Sequence, residues 1–141
     1  MGKAKDVDIA AKAARKAFEE GPWRRMGAME RMQIMNKIAD LIEKNADELA
    51  VLECLDNGKP PGMAHMDIGF CSQVMRYYAT AQLHSHGEVI PHSGHFLTYT
   101  REEPVGVCAQ IIPWNFPILM ACAKLAPMLA SGSTSILKPA E

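Results

Sequence analysis

The sequence predicts an α/β fold in which N-terminal helices and a β-hairpin precede a unit of strand, helix and strand. Three observations predict it. Apolar residues recur at helical spacing through residues 8–83, β-branched and aromatic residues form two short arms within 88–100, and a nearly uncharged run occupies 105–112. With 141 residues, of which 48% are hydrophobic, the chain has the size of one domain and enough apolar material for a core.

Two helices are predicted in the first third of the chain. Residues 8–20 carry two adjacent rows of apolar residues, and Gly21 followed by Pro22 stops this helix. Residues 28–44 carry one apolar stripe at spacings of three and four. That stripe consists of Met35, Ile38, Ala39 and Ile42. Each helix is therefore expected to bury one face.

Two further helices are predicted around a turn. Asn45 restarts the helical pattern, and Glu48 three residues later predicts a capping box with it. The pattern ends in the turn-forming segment 56–62, D-N-G-K-P-P-G. The next helix is predicted over residues 64–83, although Gly69 weakens its middle. Its buried stripe is expected to consist of Phe70, Val74, Tyr77, Tyr78 and Ala81.

A β-hairpin is predicted next, because residues 88–90 and 96–100 are separated by the loop P-H-S-G-H. Four histidines lie in this region, and two interpretations fit them. A zinc site is one, since histidines two apart share a face of a strand, and an exposed hairpin with solvated histidines is the other. No thiol or carboxylate completes a ligand set, so we expect no metal. The four residues are His84, His86, His92 and His95.

A parallel pair of strands is predicted in the last third of the chain. Residues 105–112, V-G-V-C-A-Q-I-I, have the length and apolarity of a strand covered on both faces. Pro117 suits the first turn of a helix that continues over 118–129, and residues 134–137 form the second strand. This order predicts a right-handed βαβ crossover, which places ligands at the carboxyl ends of its strands.

The segment 113–117, P-W-N-F-P, brings an amide side chain to this edge of the predicted sheet. Its prolines restrict the backbone on both sides of Asn115. The amide has two N–H donors and one acceptor, so it suits either the cap of the adjoining helix or the stabilisation of a developing oxyanion. Local chemistry by itself favours capping.

Charge and composition exclude several classes of protein. Fifteen Lys and Arg residues and sixteen Asp and Glu residues give a formal charge of -1. The chain as a whole therefore lacks the excess of positive charge that is typical of proteins that bind nucleic acid or an anionic membrane. The N-terminal residues lack the apolar core of a signal peptide, and the longest apolar run, 116–123, is too short to span a bilayer. The four cysteines have no C-x-x-C spacing and are expected to be reduced thiols in a cytoplasmic protein.

Several strings of the sequence occur in the same order in one known family. They are E-P-V-G-V-C-A-Q-I-I-P-W-N-F-P, K-L-A-P-M-L-A-S-G and L-K-P-A-E, preceded by D-V-D-I-A-A-K-A-A-R-K-A-F, L-D-N-G-K-P, R-Y-Y-A and F-L-T-Y-T-R-E-E-P. The chain thereby resembles an N-terminal fragment of the aldehyde dehydrogenase superfamily along nearly its whole length. The resemblance implies an incomplete aldehyde dehydrogenase fold. Its parts are a helical segment 1–83, an oligomerisation arm 84–104 and, at 105–141, the first βαβ unit of a Rossmann-like NAD-binding domain.

The resemblance implies an enzyme that oxidises an aldehyde to a carboxylate with a nicotinamide cofactor. In such a reaction a cysteine thiolate attacks the aldehyde, hydride passes to the cofactor, and a water activated by a glutamate releases the acid. Asn115 matches the oxyanion-hole asparagine of the family. This match changes the interpretation of Asn115 from capping to catalysis.

Cofactor contacts are also implied by the resemblance. Lys138 and Glu141 match the family's two contacts to the adenosine ribose. A carboxylate at Glu141 accepts hydrogen bonds from ribose hydroxyls and repels a 2′-phosphate, so NAD is expected rather than NADP. Four further positions match residues that line the cofactor cleft, namely Ile111, Ile112, Pro113 and Trp114.

The resemblance places the family's nucleophilic cysteine, general-base glutamate and second glycine-rich segment downstream of the residues present. Cys122 follows Asn115, but its context A-C-A-K-L lacks the nucleophile motif, so a packed core thiol is expected. We therefore expect the 141-residue chain to be inactive by itself, and the complete enzyme to be a dimer or tetramer that acts on a small-molecule aldehyde. The rival hypothesis is a non-catalytic fragment that associates with full-length subunits through its helices and hairpin.

Overall fold

The structure is a computed structural model that describes residues 2–140, and within these residues it contains five α-helices and two sheets of two strands. The α/β class predicted from the sequence is confirmed. The helices are α1 (Ala4–Glu20), α2 (Ala28–Lys44), α3 (Ala46–Asn57), α4 (Pro61–Ala81) and α5 (Pro117–Ser131). The strands are β1 (Val89–Ile90), β2 (Thr98–Tyr99), β3 (Val107–Ile111) and β4 (Thr134–Lys138). Short 3-10 turns at Trp23–Arg25 and Gln82–His84 follow α1 and α4.

Three helix starts differ from the sequence-based expectation. Helix α4 begins at Pro61, three residues before the predicted start, with proline at its first helical position. Helix α1 begins one turn earlier than predicted, because Asp6 Oδ2 reaches back to accept a hydrogen bond from the Lys3 backbone N–H at 2.7 Å. The capping box predicted at Asn45 is wrong, since this side chain makes no cap hydrogen bond to α3. Its Nδ2 instead donates to the carbonyl of Leu41 at 2.7 Å, so Asn45 satisfies the end of α2 rather than the start of α3.

The buried face of α4 lies beside the one predicted. Phe70 is 46% exposed and Tyr77 is 66% exposed, so the predicted stripe is wrong at these two positions. The apolar positions of α4 occupy more than one face of the helix, so period alone does not select the buried one. The small residues at the true face let neighbouring helices approach closely. The buried residues are Ala64, Asp67, Ile68, Cys71, Ser72, Met75 and Ala79.

The main core lies between α2, α4 and α5. Its buried residues are Met35, Ala39, Cys71, Met75, Ala79, Cys122, Ala126 and Ala130. Half of these are alanines, which shortens the distance between helix axes and makes the packing sensitive to any added volume. A second cluster joins α3 to α4 through Ala50, Ala64 and Ile68, and Ile118 in the first turn of α5 packs against it.

The two sheets match their predicted types. Strands β1 and β2 pair antiparallel as a hairpin, and β3 and β4 pair parallel with α5 between them in the chain, which confirms the βαβ unit. The expectation that the first parallel strand is covered on both faces is wrong. Ala109 is exposed and Ile111 is 67% exposed, because within residues 2–140 strand β3 has β4 as its only partner in the sheet.

Hydrogen bonds attach the parallel pair to α1 and to α5. Thr134 Oγ1 donates to the carbonyl of Ala14 in α1 at 2.9 Å. Gln110 Nε2 donates to the Lys124 carbonyl at 3.0 Å, and Lys124 Nζ donates to the Ile111 carbonyl at 2.7 Å, so β3 and α5 are joined in both directions. The last two bonds hold the carboxyl end of β3 in a defined position relative to α5, and the first holds the start of β4 against α1.

Candidate functional site

The carboxyl ends of β3 and β4 lie side by side. Ile111 is the register partner of Lys138, and the backbone N–H of Ile112 donates to the Lys138 carbonyl at 3.0 Å. Three positions predicted to bind cofactor are therefore brought to one edge of the sheet. Pro113 and Trp114 follow Ile112 directly in the chain, and Glu141, also predicted at this edge, lies outside the described residues.

The residues at this edge differ in what they present to a ligand. Ile111 is 67% exposed and Trp114 is 70% exposed, and Pro113 and Lys138 are also exposed, so their side chains are open to an incoming molecule. Ile112 is only 4% exposed, so its side chain belongs to the interior. Any contact from Ile112 to a ligand must therefore come from its backbone.

A cleft of about 580 Å³ opens beside Lys138, between the N-terminal turns of α1 and the end of β4. Its walls are mainly apolar, from residues such as Val7 and Ile136, and the charged groups on them are Asp6 and Lys138. Such a mixture of apolar walls and few polar groups is typical of small-molecule sites. The cleft places the ammonium of Lys138 where it can reach a polar group of a bound ligand.

Asn115 does not cap α5. The N-cap residue is Phe116, with φ -138° and ψ 60°, and no side-chain cap hydrogen bond forms there. Asn115 lies one residue too early to reach the first free N–H groups of the helix. It is exposed, and within residues 2–140 its amide makes no hydrogen bond. The capping alternative therefore fails, and the amide is available to an external group.

The start of α5 adds a second source of positive potential beside Asn115. Pro117 occupies the first helical position, and the N–H groups of the following residues have no partner within the helix. The dipole of a 15-residue helix places partial positive charge at this end. An anionic oxygen near Asn115 would therefore meet an amide donor and a helix terminus together.

Two residues that the sequence analysis did not single out contact this loop, and two more pair with one of them. The segment D-N-G-K-P predicted only the end of a helix, yet its lysine and asparagine contact the loop. Lys59 Nζ lies 4.3 Å from the centroid of the Phe116 ring, and Asn57 Nδ2 lies 3.5 Å from the Asn115 carbonyl oxygen. The remaining two are Glu53 and Asp67, which pair with the lysine. No local pattern signalled these contacts, because they join segments far apart in sequence.

The Lys59 ammonium is paired with two carboxylates in the interior. Its Nζ lies 3.1 Å from Glu53 Oε1 and also contacts Asp67 Oδ2, and the three side chains are at most 10% exposed. Burial by itself lowers the pKa of Lys59, but the hydrogen bonds to Asp67 and Glu53 raise it by more, so the pKa lies above its ordinary value. Lys59 is therefore charged throughout the physiological range.

The cysteines of the chain are structural thiols in the described residues. All four are free, and Cys71 and Cys122 are buried in the main core. A hydrogen bond with Cys122, together with burial, raises the pKa of Cys71 well above its ordinary value. The expectation that Cys122 is a packed core thiol is confirmed, since it is 6% exposed.

Residues 2–140 contain neither a candidate metal centre nor a helix that could span a membrane. No group of three or more His, Cys, Asp or Glu side chains is placed to hold a metal ion there, and the four hairpin histidines are all exposed. No helix in the same residues is both long enough and apolar enough to cross a bilayer.

Comparison with known proteins points to a single family. The profile of the Aldehyde dehydrogenase family matches residues 1–141. The mitochondrial aldehyde dehydrogenase of Equus caballus is 53% identical over 142 residues, which cover 99% of this chain and 28% of the horse protein. An aldehyde dehydrogenase of Emericella nidulans is 53% identical over 137 residues, which cover 97% of this chain and 27% of the fungal protein.

A solved structure gives the same result in three dimensions. The NAD+ complex of an aldehyde dehydrogenase from Bacillus cereus superposes on this chain with a TM-score of 0.92 at 51% sequence identity. The match covers 96% of this chain and 28% of the bacterial one. The chain thus spans a little over a quarter of the length of the relatives it matches.

Proposed function

The chain belongs to the aldehyde dehydrogenase family, and from this premise we propose that it forms the N-terminal part of an enzyme that oxidises an aldehyde to a carboxylate with NAD. The observation that carries the proposal is the free amide of Asn115, which lies at the carboxyl edge of the parallel sheet and does not cap α5. The chain spans 28% of the length of these relatives. The proposed reaction is therefore that of a protein of the relatives' full length that contains these residues, here called the complete enzyme.

Asn115 is proposed to stabilise the oxyanion of the reaction. When a thiolate attacks an aldehyde, negative charge develops on the carbonyl oxygen, and a fixed N–H donor aimed at that oxygen lowers the barrier. The two prolines of the loop hold the backbone on either side of this amide. The N-terminus of α5 supplies partial positive charge at the same place.

NAD is proposed to bind along the carboxyl edge of β3 and β4, where it would accept hydride from the substrate. Lys138 fits this role because its exposed ammonium lines an open cleft at the end of β4, where ligands of parallel sheets bind. Ile111, Pro113 and Trp114 would line the cofactor with exposed side chains, and Ile112 with its backbone. The preference for NAD over NADP is proposed from the carboxylate of Glu141.

The test is the substitution Asn115→Ala in the complete enzyme. We expect kcat to fall about 100- to 1,000-fold, which is the usual effect of losing one oxyanion donor. Asn45→Ala is the matched control, because this exposed asparagine bonds only the Leu41 carbonyl at the far end of α2, and kcat should stay unchanged. A kcat for Asn115→Ala within about threefold of the parent would overturn the role of this amide.

A second candidate function is supported by the hairpin. Nearly all of 84–103 is exposed, and five large apolar side chains are open to solvent there, which is typical of a surface that another chain covers. They are Val89 at 72%, Ile90 at 42%, Phe96 at 75%, Leu97 at 76% and Tyr99 at 62% exposure. We propose that segment 84–104 is an oligomerisation arm of a homo-oligomer. An interaction fragment without catalysis would co-purify with complete subunits and show no affinity for NAD.

We also propose the division of the chain that these roles imply and its compartment. Residues 1–83 form the helical segment, 84–104 the arm, and 105–141 the start of the cofactor-binding fold. Four free cysteines in the described residues suit a reducing compartment, and we propose the cytoplasm. Fractionation of cells that express the complete enzyme tests this directly.

A further inference from the structure

A set of charged side chains is buried between α3 and α4, beside the loop that carries Asn115. Glu53 is 4% exposed, Lys59 8% and Asp67 10% by side chain, and the lysine contacts both acids. Two carboxylates face one ammonium in the set, so removing Lys59 would leave two buried negative charges without a partner. Buried charges are costly, which makes the geometry around them stiff.

The D-N-G-K-P turn delivers Lys59 to this set. Gly58 ends α3 with φ +76°, a backbone conformation that residues with a side chain rarely adopt, and its N–H donates to the Cys54 carbonyl at 2.9 Å. The backbone N–H of Lys59 then donates to Asn57 Oδ1 at 2.9 Å. The turn therefore orients Lys59 and Asn57 together.

Both of these residues also contact the P-W-N-F-P loop. Lys59 Nζ lies 4.3 Å from the Phe116 ring centroid, within range of a cation–π interaction that is strengthened by the exclusion of water. Asn57 Nδ2 lies 3.3 Å from Glu53 Oε1 and 3.5 Å from the Asn115 carbonyl oxygen. The contacts hold the residue that carries the free amide and the residue that follows it.

The ammonium of Lys59 thus joins the two buried acids to the loop. Its Nζ, which carries three N–H donors, contacts Glu53, Asp67 and the aromatic ring of the loop. A pair that served only to join α3 to α4 would need neither the ring nor the asparagine. The loop in turn has few other anchors, since Trp114 and Asn115 are exposed.

We propose that Lys59 and Asn57 are positioning residues, which hold the loop so that the Asn115 amide points at the oxyanion. This inference rests on the proposed role of Asn115. It assigns to the D-N-G-K-P turn a part in catalysis that acts through the loop, because Lys59 contacts Phe116 and Asn57 contacts Asn115.

The test is a double-mutant cycle in the complete enzyme with Lys59→Met, Asn115→Ala and both together. Lys59→Met keeps the length of the side chain and removes the charge. We expect kcat to fall about 10- to 100-fold while KM for NAD changes less than about twofold, because a small displacement of a catalytic group costs rate and leaves the cofactor site intact. In the Asn115→Ala background the same substitution should cost less than about threefold, because the amide it positions is already absent.

Lys37→Met is the matched control, since Lys37 is an exposed lysine on α2, and it should leave kcat, KM and the melting temperature unchanged. Thermal denaturation is measured for each variant. If Lys59→Met is unfolded at the assay temperature, Asn57→Ala takes its place, with an expected loss in kcat of roughly 3- to 10-fold that disappears in the Asn115→Ala background.

Three results would overturn the proposal, and the third would also overturn the proposed function on which it rests. Equal losses in kcat from Lys59→Met or Asn57→Ala with and without Asn115 would mean that the buried charges act independently of the amide. An unchanged kcat in folded Lys59→Met would mean that they only join two helices. An unchanged kcat in Asn115→Ala would refute the proposed role of the amide itself, and the positioning role would fall with it.

Discussion

The amide of Asn115 lies one residue before the N-cap of α5, and this offset separates its two possible roles. A cap side chain must sit at the boundary residue to reach the N–H groups of the first turn. Phe116 holds that boundary with an extended φ and cannot cap. Both roles were visible in the sequence, and only the position of the helix start distinguishes them.

The first prediction for single residues concerns the cofactor affinity that Lys138 and Glu141 provide. In the complete enzyme, Lys138→Ala should weaken NAD binding about 10-fold, because a hydrogen bond from a charged donor is lost. Glu141→Gln should tighten NADP binding by a similar factor, about 10-fold, because the repulsion of the 2′-phosphate is removed while an acceptor remains. Isothermal titration calorimetry with both cofactors measures the two dissociation constants.

The control for this pair is Lys37→Ala, which removes an exposed lysine far from the sheet edge in sequence and should bind both cofactors like the parent. Unchanged affinity for NAD in Lys138→Ala would contradict the proposed ribose contact. Unchanged discrimination in Glu141→Gln would show that some other group rejects the 2′-phosphate.

Lys59 gives a prediction for the effect of pH on stability. Because folding raises the pKa of Lys59, its charge contributes in full below the ordinary lysine pKa of about 10.4, and the contribution is lost as pH rises through the raised value. In urea denaturation of the 141-residue chain, Lys59→Met should lower the free energy of unfolding by about 3–5 kcal/mol near neutral pH. The difference from the parent should then narrow above about pH 10.5. A difference that stays constant to higher pH would contradict the paired, charged lysine.

At the scale of elements, Arg31 joins three helices without the help of a carboxylate. Its Nε lies 3.1 Å from Gln82 Oε1 and 3.2 Å from the Ala130 carbonyl, and its Nη1 lies 2.5 Å from the Met26 carbonyl. Gln82 in turn donates to the carbonyls of Ala28 and Ala79 at 3.2 Å each. The guanidinium thus lies at the C-terminal ends of α4 and α5, where the helix dipoles favour a positive charge.

Replacing this guanidinium should destabilise the fold. We expect Arg31→Met to lower the free energy of unfolding by about 3 kcal/mol, because the carbonyl groups that it satisfies lose a charged donor. Arg25→Met is the control, since its one recorded bond, to the Glu19 carbonyl, is 3.5 Å long and exposed, and it should change stability by less than about 0.5 kcal/mol. Urea denaturation followed by circular dichroism gives both values. Equal stabilities of the two variants would show that Arg31 does not join the helices.

Helix α4 shows why a buried face is hard to predict from sequence. Its type and length follow from periodicity, but several of its faces carry apolar residues, and the predicted stripe included the exposed Phe70 and Tyr77. The buried face carries Ala64, Cys71 and Ala79, whose small side chains are weak signals in any hydrophobic pattern. Their value lies in the close approach of α2 and α5, which depends on residues distant in the chain.

At the scale of the whole molecule, the β-structure of the described residues leaves apolar surface exposed both at the hairpin and at the parallel pair. Phe96 and Leu97 are exposed in the hairpin. Val105, just before β3, is 90% exposed, and Ile111, the last residue of β3, is 67% exposed. An open strand edge with apolar neighbours is a site where another segment or chain pairs. Both places suit contacts with further segments of the complete enzyme or with a second subunit of the proposed homo-oligomer.

We predict that the 141-residue chain by itself does not oxidise aldehydes. Its two most buried thiols, Cys71 and Cys122, lie in the helical core and are at most 6% exposed, so an aldehyde does not reach either sulfur. Purified chain with NAD and an aldehyde should produce no NADH above a blank, while the complete enzyme under the same conditions does. Turnover by the chain that a thiol reagent abolishes would contradict this expectation.

What the sequence determined by itself is the order and type of the elements and the family. Helix α2 has its predicted ends, the hairpin and the parallel pair form where β-branched runs predicted them, and the motif strings identify the family, because each of these depends on residues close together in the chain. The tertiary structure decided which face of α4 is buried, that Ile112 faces inward, and that Asn57 meets Asn115 across 58 positions. These features depend on contacts between distant segments, whose free energies exceed local preferences and leave no periodic trace in the sequence.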